Sequence, residues 1–314
     1  MLDRQNILKA ATDRGFDLCG VVPCRHLAEN EARFRDWLSH GYQSSLGYLE
    51  RNTEKRFDPR LLVEGARTAV VCAVAYKNRA SGGYAPECRT KVASYAAACD
   101  YHTTLRGMLH GLLEELRAAN PDLRGRAFVD TAPLAEKQLA VEAGLGWIGR
   151  QSLLVTPRHG TYVLLGELLL TDDADVYDPP FEGSRCGRCH NCIESCPTGA
   201  IVAPKVIDTG RCISCHTIEK EPTEGIGLDG WIFGCDRCQS CCPHNQKAPM
   251  HRNPAFDPLF DPAGIPPETW LAMDEREFVT RFGETPLLRA GLERIRRNLL
   301  RNLRENNREA DDRE

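Results

Sequence analysis
Ten of the fifteen cysteines in this chain fall between Cys186 and Cys242. The first four stand in "CGRCHNCIESCP", a C-x2-C-x2-C-x3-C run closed by Pro197. That is the spacing of a bacterial ferredoxin, in which three thiolates hold one [4Fe–4S] cube and the fourth reaches a second cluster. The second cluster then needs three more thiolates, and the first needs one. The chain offers Cys212, Cys235 and Cys238, followed by Cys241 and Cys242 directly before Pro243. Pro243 favours Cys242 over Cys241 as the counterpart of Cys196. The expected sets are Cys186, Cys189, Cys192 and Cys242 on one cluster, and Cys196, Cys212, Cys235 and Cys238 on the other. Cys215 and Cys241 are left over, each a free thiol or a substitute ligand. Zinc ribbons place two C-x2-C pairs about 15–20 residues apart, a pattern the run of four does not fit. Two clusters mean electron transfer, without saying to what.

The other cysteines, Cys19, Cys24, Cys72, Cys88 and Cys99, are scattered and read as small buried hydrophobes. The chain has 314 residues and is 42% hydrophobic, enough for one large or two modest domains. A net charge of −4 excludes a basic nucleic-acid coat, so any such contact must be a local patch. The N-terminal "MLDRQNILKAATDRG" lacks an apolar signal core and a twin-arginine motif. No window holds 18 apolar residues. The expected compartment is the cytoplasm.

Residues 1–180 alternate helical and strand patterns. "ILKAATDRG" and "ARFRDWLSHG" read as helices; "DLCGVVP" and "TAVVCAVAY" read as strands. In "YHTTLRGMLHGLLEELRAAN" the residues Leu105, Met108, Leu109, Leu112, Leu113 and Leu116 recur at helical spacing, and Asn120-Pro121 stops the helix. "RAFVD", "SLLVTP" and "TYVLLGELLLT" read as further strands, with a helix in "PLAEKQLAVEAG". This alternation suggests an α/β layer. The acidic, proline-bearing "TDDADVYDPPFEGSR" reads as a linker. Three regions result: an α/β domain over 1–180, a ferredoxin-like two-cluster module over 181–250, and a short helical, arginine-rich segment over 251–314. The last nine residues, "NNREADDRE", have the composition of a disordered tail. The fold class is α/β or α+β with an appended ferredoxin-like module.

Asp130 closes the strand "RAFVD". Thr131 can cap, and Pro133 can open, the next helix. An acid at a strand's carboxyl end can serve as a proton donor if burial raises its pKa. It can equally be a cap or turn residue.

The segments "VDTAPLAEKQLAVEAGLGWIGRQSLL", "CGRCHNCIESCPTGAIVAPKVIDTGRCIS" and "GCDRCQSCCPHNQ", with "EKRFDPRLLV" and "YAAACDYHTTLR", closely resemble the epoxyqueuosine reductases. The resemblance runs from about residue 5 to residue 303. It implies an oxidoreductase that reduces the epoxide of epoxyqueuosine to the alkene of queuosine, at the wobble position of a tRNA anticodon. It implies a cobalamin in the α/β domain, fed with electrons by the two clusters. The aspartate of the family's D-T-A-P segment, proposed there as proton donor, matches Asp130. Positions near cobalamin match Arg56, Arg150, Leu154, Ser214 and Asp236. Arg56 and Arg150 read equally as solvated arginines. His102 departs from the D-x-H-x-x-G pattern of a lower cobalt ligand and is expected to be a pocket or helix-start residue, with base-off cobalamin. Cys215 and Cys241 stand where many relatives have other residues. Longer relatives continue into helical repeats that help to hold tRNA, so a smaller tRNA grip is expected here.

Arg281, Arg289, Arg294, Arg296, Arg297, Arg301 and Arg304, with Lys205, Lys220 and Arg237, offer phosphate contacts for that tRNA. They read otherwise as a solvated face with ion pairs to Glu293 and Glu305. A flavodoxin- or ferredoxin-type protein is the expected electron donor, and a monomer the expected state. Two other enzyme or carrier readings compete. A reductive dehalogenase combines corrinoid and clusters but usually carries an export signal and a tyrosine in place of the acid. A non-catalytic carrier holds iron without cobalt.

Overall fold
The computed structural model describes residues 1–219 and 225–311. Ten strands form: β1 (Leu18–Pro23), β2 (Thr68–Ala75), β3 (Lys91–Val92), β4 (Gly125–Phe128), β5 (Trp147–Ile148), β6 (Leu154–Val155), β7 (Val163–Leu170), β8 (Ile201–Ala203), β9 (Val206–Ile207) and β10 (Trp231–Phe233). The main sheet has the order β1-β2-β7-β4. Every pairing in it is antiparallel. The alternation of helices and strands therefore builds the α+β form of the expected class, with no parallel crossover in this sheet.

Both faces of the sheet are covered, so β2 is buried at all eight positions. On one side Val70, Cys72, Leu168 and Leu170 meet helices α1 (Arg4–Asp13) and α4 (Tyr101–Ala119). On the other, Ala69, Val71, Ala73 and Leu169 meet α5 (Glu136–Glu142), whose Leu139 and Ala140 face them. Between α1 and α4 in the chain come α2 (Ala28–Ser39) and α3 (Thr53–Phe57). The leucine stripe of α4 is fully inward, with Leu105, Leu109 and Leu112 all at 0% exposure. Asp100 caps α4 by accepting the His102 amide. Of the scattered cysteines, Cys24 and Cys72 are buried, while Cys19, Cys88 and Cys99 are half-buried.

The expected linker is strapped to the sheet. Asp178 accepts the Val21 amide at 2.8 Å and pairs with Arg4, and the Phe181 amide donates to Val141. The cysteine module that follows uses short helices: α6 (Asn191–Glu194), α7 (Ile213–Ile218), α8 (Arg237–Ser240) and α9 (Pro243–Gln246). It joins the first region through β10, which runs parallel to β3. The C-terminal helices α10 (Pro267–Ala272), α11 (Glu275–Phe282), α12 (Leu287–Ala290) and α13 (Leu292–Asp311) close over that joint. Trp270, Phe278, Phe282, Ile295 and Leu299 share a core with Val92 and Phe233. Buried Asn298 and Asn302 on α13 donate to the carbonyls of Thr217, Ile232 and Trp231. Residues 306–311, expected to lack order, continue α13; residues 312–314 lie outside the described residues.

Candidate active site and cluster centres
The cysteines sort into two groups in space. Around Cys192 stand Cys241, Cys242, Cys186 and Cys189; burial first, and then these neighbours, push its thiol up to about 11. Around Cys238 stand Cys235, Cys212 and Cys196. Mutual repulsion of buried thiolates is relieved when they share cationic iron, which needs the deprotonated form. Among the described residues no three His, Cys, Asp or Glu side chains converge as ligands of a single metal ion do. Two N–H groups already point at sulfurs of the expected ligand sets: Trp147 Nε1 at Cys186 (3.4 Å) and the Ala200 amide at Cys196 (3.3 Å). Such bonds tune cluster potentials.

Cys241 and Cys242 differ. Cys241 Sγ lies 3.0 Å from Ser195 Oγ and 3.7 Å from the Cys238 carbonyl. Cys242 is buried and opens α9, where the His244 and Asn245 amides face its sulfur. Cys215 is buried on α7 beside the helix-opening Cys212.

Asp130 lies two residues past β4, not at its end. Its φ is +53°, and the Thr131 amide reaches back to the Val129 carbonyl at 2.5 Å. Three-residue turns of this hand are rare and strained, and they persist only where neighbours hold them. The expected cap at Thr131 and helix opening at Pro133 are not formed. Helix α5 starts at Glu136 with Ala135 before it, because residues 130–135 are spent in the turn.

The neighbours that hold Asp130 come from α4. Its Oδ2 accepts from Tyr101 Oη at 2.9 Å and lies 3.4 Å from His102 Nε2. His102 Nδ1 lies 2.7 Å from Asp100 Oδ1, and Arg289 Nη1 approaches Nε2 at 3.3 Å. His102 thus opens the helix, as expected, and also partners the acid. Asp130 is 54% exposed while His102 is 12% exposed, so the carboxylate is the member that faces outward. Burial opposes charge on His102, but the hydrogen bonds to Asp100 and Asp130 outweigh it and raise the imidazole to about 9. The same contact with His102 pulls Asp130 below the ordinary carboxylate range, against burial. The expectation that burial raises this acid is therefore corrected. At neutral pH the proton sits on His102 and the charge on Asp130.

Tyr48 links the acid to the cysteine module. Tyr48 lies within electrostatic reach of Glu219, Asp130, Cys215 and Arg56 together. Several buried polar atoms lack a hydrogen-bond partner among the described residues, among them Arg56 Nε beside Tyr48, and Arg150 Nε, Gln151 Nε2 and Gln43 Oε1. Burial lowers the Arg56 guanidinium, and Arg150 is half-buried. Unpaired buried donors are costly, and a corrin rimmed with amides and bearing a phosphate would supply acceptors. The residues fit cobalamin on that ground. Arg150 also donates to the Gly187 carbonyl at 2.8 Å, tying this rim to the first cysteine run. Leu154 is buried on β6, and Ser214 lies on α7. Asp236 is buried with both oxygens engaged, by the Ser94 amide (2.7 Å) and Gln239 Nε2 (3.1 Å).

The sequence reading passed over Tyr101, Glu136 and Glu167. A single acid in the apolar run "VLLGELLLT" was the available signal for Glu167. Three of the expected phosphate-contacting arginines have partners within the chain, two of them the expected Glu293 and Glu305. Arg296 pairs with Glu293 and the Met273 carbonyl, Arg301 with Glu305 and the Ile226 carbonyl, and Arg281 with Glu277. Lys220 lies outside the described residues.

The family "Epoxyqueuosine reductase QueG, DUF1730" matches residues 56–131, and "4Fe-4S double cluster binding domain" matches residues 185–245. An epoxyqueuosine reductase of Cyclobacterium marinum is 37% identical over 301 residues, covering 94% of this chain and 95% of that protein. A crystal structure of epoxyqueuosine reductase with a tRNA-Tyr epoxyqueuosine-modified stem loop aligns with TM-score 0.84 and 32% identity, over 95% of this chain and 80% of that one. The Bacillus subtilis epoxyqueuosine reductase, solved with its catalytic aspartate loop swung out of the active site, aligns with TM-score 0.83 and 30% identity, over 95% of this chain and 80% of that one.

Proposed function
This chain belongs to the epoxyqueuosine reductase family, and we propose that Asp130, recharged by His102, delivers the proton that its reaction needs at the epoxide oxygen. It is an oxidoreductase with two [4Fe–4S] clusters and cobalamin, reducing epoxyqueuosine in tRNA to queuosine. The observation that carries the proposed role is the exposed carboxylate held on a strained turn between Tyr101 and His102.

Converting an epoxide to an alkene consumes two electrons and two protons and releases water. Opening the ring leaves charge on oxygen, and a general acid lowers that barrier. Asp130 faces outward and His102 does not. At neutral pH the carboxylate holds no proton of its own, so the proton it delivers is drawn from His102 Nε2 and passed on through Asp130, while Tyr101 Oη fixes the carboxylate's direction. Cobalamin, when bound, supplies the reducing chemistry at the epoxide carbon. Arg56, Arg150 and Gln151 would hold it, with Leu154 and Ser214 on its borders and Asp236 fixing the wall behind. Cys186, Cys189, Cys192 and Cys242 would ligate one cluster. Cys196, Cys212, Cys235 and Cys238 would ligate the other. The loop of residues 130–135 would be this chain's counterpart of the catalytic aspartate loop that swings out of the active site in the Bacillus subtilis relative.

A flavodoxin- or ferredoxin-type protein would feed the clusters, and the enzyme would act as a cytoplasmic monomer. No helix among the described residues is long and apolar enough to cross a membrane. The test is anaerobic incubation of the reconstituted protein, with cobalamin and a strong reductant, on tRNA carrying epoxyqueuosine. Nucleoside mass spectrometry should show loss of one oxygen. Unchanged nucleoside, with clusters and cobalamin confirmed present, overturns the reading.

A further inference from the structure
Glu167 stands where the packing calls for a leucine. On β7 it lies between Leu165 and Leu169, on the sheet face that α5 covers. It is 0% exposed. Neither carboxyl oxygen accepts from an N–H or conventional O–H among the described residues. A lone buried carboxylate is too costly to keep. The group that meets it is a second carboxyl, that of Glu136 at the start of α5. Two carboxyls can hydrogen-bond only if one proton lies between them. Burial and then the charge on Glu136 hold Glu167 well above the ordinary carboxylate range, as such sharing requires.

Glu136 has another partner. Its Oε1 accepts the backbone N–H of Asp130 at 2.6 Å. That amide belongs to the strained turn that aims the acid. Glu136 thus stands between the middle of β7 and the turn, meeting the Glu167 carboxyl on one side and the Asp130 amide on the other. Ordinary apolar packing would serve the sheet better, because a buried polar group is commonly neutral or costly for stability. The acids earn their place at the turn.

We infer that Glu136, seated against Glu167 and accepting the Asp130 amide, is a positioning residue that latches the Asp130 turn in its delivering conformation. The inference rests on the reading of Asp130 as the proton-delivering group. Glu136 donates nothing to substrate. Without it the Asp130 amide loses its acceptor and the turn its reason to stay strained.

The experiment uses the reconstituted holoenzyme under anaerobic conditions, with two readouts. One is amide exchange over residues 129–134, which needs no substrate. The other is kcat and KM on tRNA carrying epoxyqueuosine. Glu136→Ala should speed exchange in that segment at least about tenfold and leave β7 unchanged. It should lower kcat by about 10–100-fold, with KM within about twofold, the scale of a misplaced catalytic group. Glu136→Gln keeps the acceptor and can donate to Glu167, so it should retain kcat within about threefold. Glu167→Leu should keep or raise Tm while kcat falls, the pattern of an activity-for-stability exchange. Wild-type exchange and kcat in Glu136→Ala overturn the inference, as does Glu136→Gln failing as badly as Glu136→Ala. Should Glu136→Ala not fold, wild-type exchange and kcat in Glu167→Leu overturn it equally. If the wild type makes no queuosine, the functional reading fails, and the exchange result still decides the latch.

Discussion
The main sheet carries apolar side chains on both faces, whereas the cysteine module has helices α6, α8 and α9 of four residues each. Its own apolar cluster is built on Ile213, Leu228 and Trp231. Helices that short do not hold themselves together. The sheet closes by hydrophobic burial; the module closes on its ligands, and otherwise leans on α13. Metal binding is folding free energy in such a module. The acid site rides on the sheet and α4, so its shape is independent of the iron. The cluster module and the proposed proton supply are thus built on separate foundations, with Tyr48 in reach of both.

The sharpest way to break that comparison is to remove one ligand. Cys242→Ser should cost one cluster, about half the iron, and essentially all turnover, while amide protection in β2 and β7 stays at the wild-type level. Cys241→Ser should keep the full iron content, since its sulfur is engaged by Ser195. Iron analysis of the two variants side by side checks this, and equal losses would merge the two cysteines into one role.

Next in size is the acid. Asp130→Asn should lower kcat by about 10²–10⁴-fold, the span of general-acid contributions, with iron, cobalamin and tRNA binding intact. Turnover at the wild-type rate would remove Asp130 from proton delivery.

A smaller effect lies in pH. His102 rises from 6.5 to about 9 in the fold. Its imidazolium is therefore complete below about pH 6.5, and its contribution is lost as pH climbs through about 9. Asp130 moves the other way, below its ordinary value, and stays ionised across that range. Hence kcat/KM should fall across about pH 9, and His102→Gln should erase that limb along with lowering the plateau. A limb that survives the substitution belongs to another group.

The smallest expected change concerns the C-terminal wall. Arg296→Ala removes a partner from the Met273 carbonyl and from Glu293. It should cost about 1–2 kcal/mol of stability, as for a partly buried charged hydrogen bond, and leave tRNA affinity within about twofold. Thermal melts and filter binding separate the two outcomes, and a large loss of tRNA binding at unchanged Tm would support the phosphate patch.

The double-cluster module was legible in the chain because its rule is local: C-x2-C-x2-C-x3-C-P places thiolates by covalent spacing alone, before any long-range contact. The leucines of α4 were legible for the same reason, since 3.6-residue periodicity is a property of one segment. Asp130 was visible as a candidate through the resemblance of its D-T-A-P segment, yet its state was not. Its partner Tyr101 is 29 residues away in sequence, and the antiparallel order β1-β2-β7-β4 had first to bring α4 against β4. Only then does His102 outweigh burial and turn an expected raised acid into a carboxylate beside an imidazolium. The arginines of α13 were legible as charge, and only packing shows that two of them also reach the Met273 and Ile226 carbonyls. Glu167 was a lone acid in an apolar strand, and only the fold set Glu136 opposite it, because the pairing of two buried carboxyls depends on how α5 crosses the sheet.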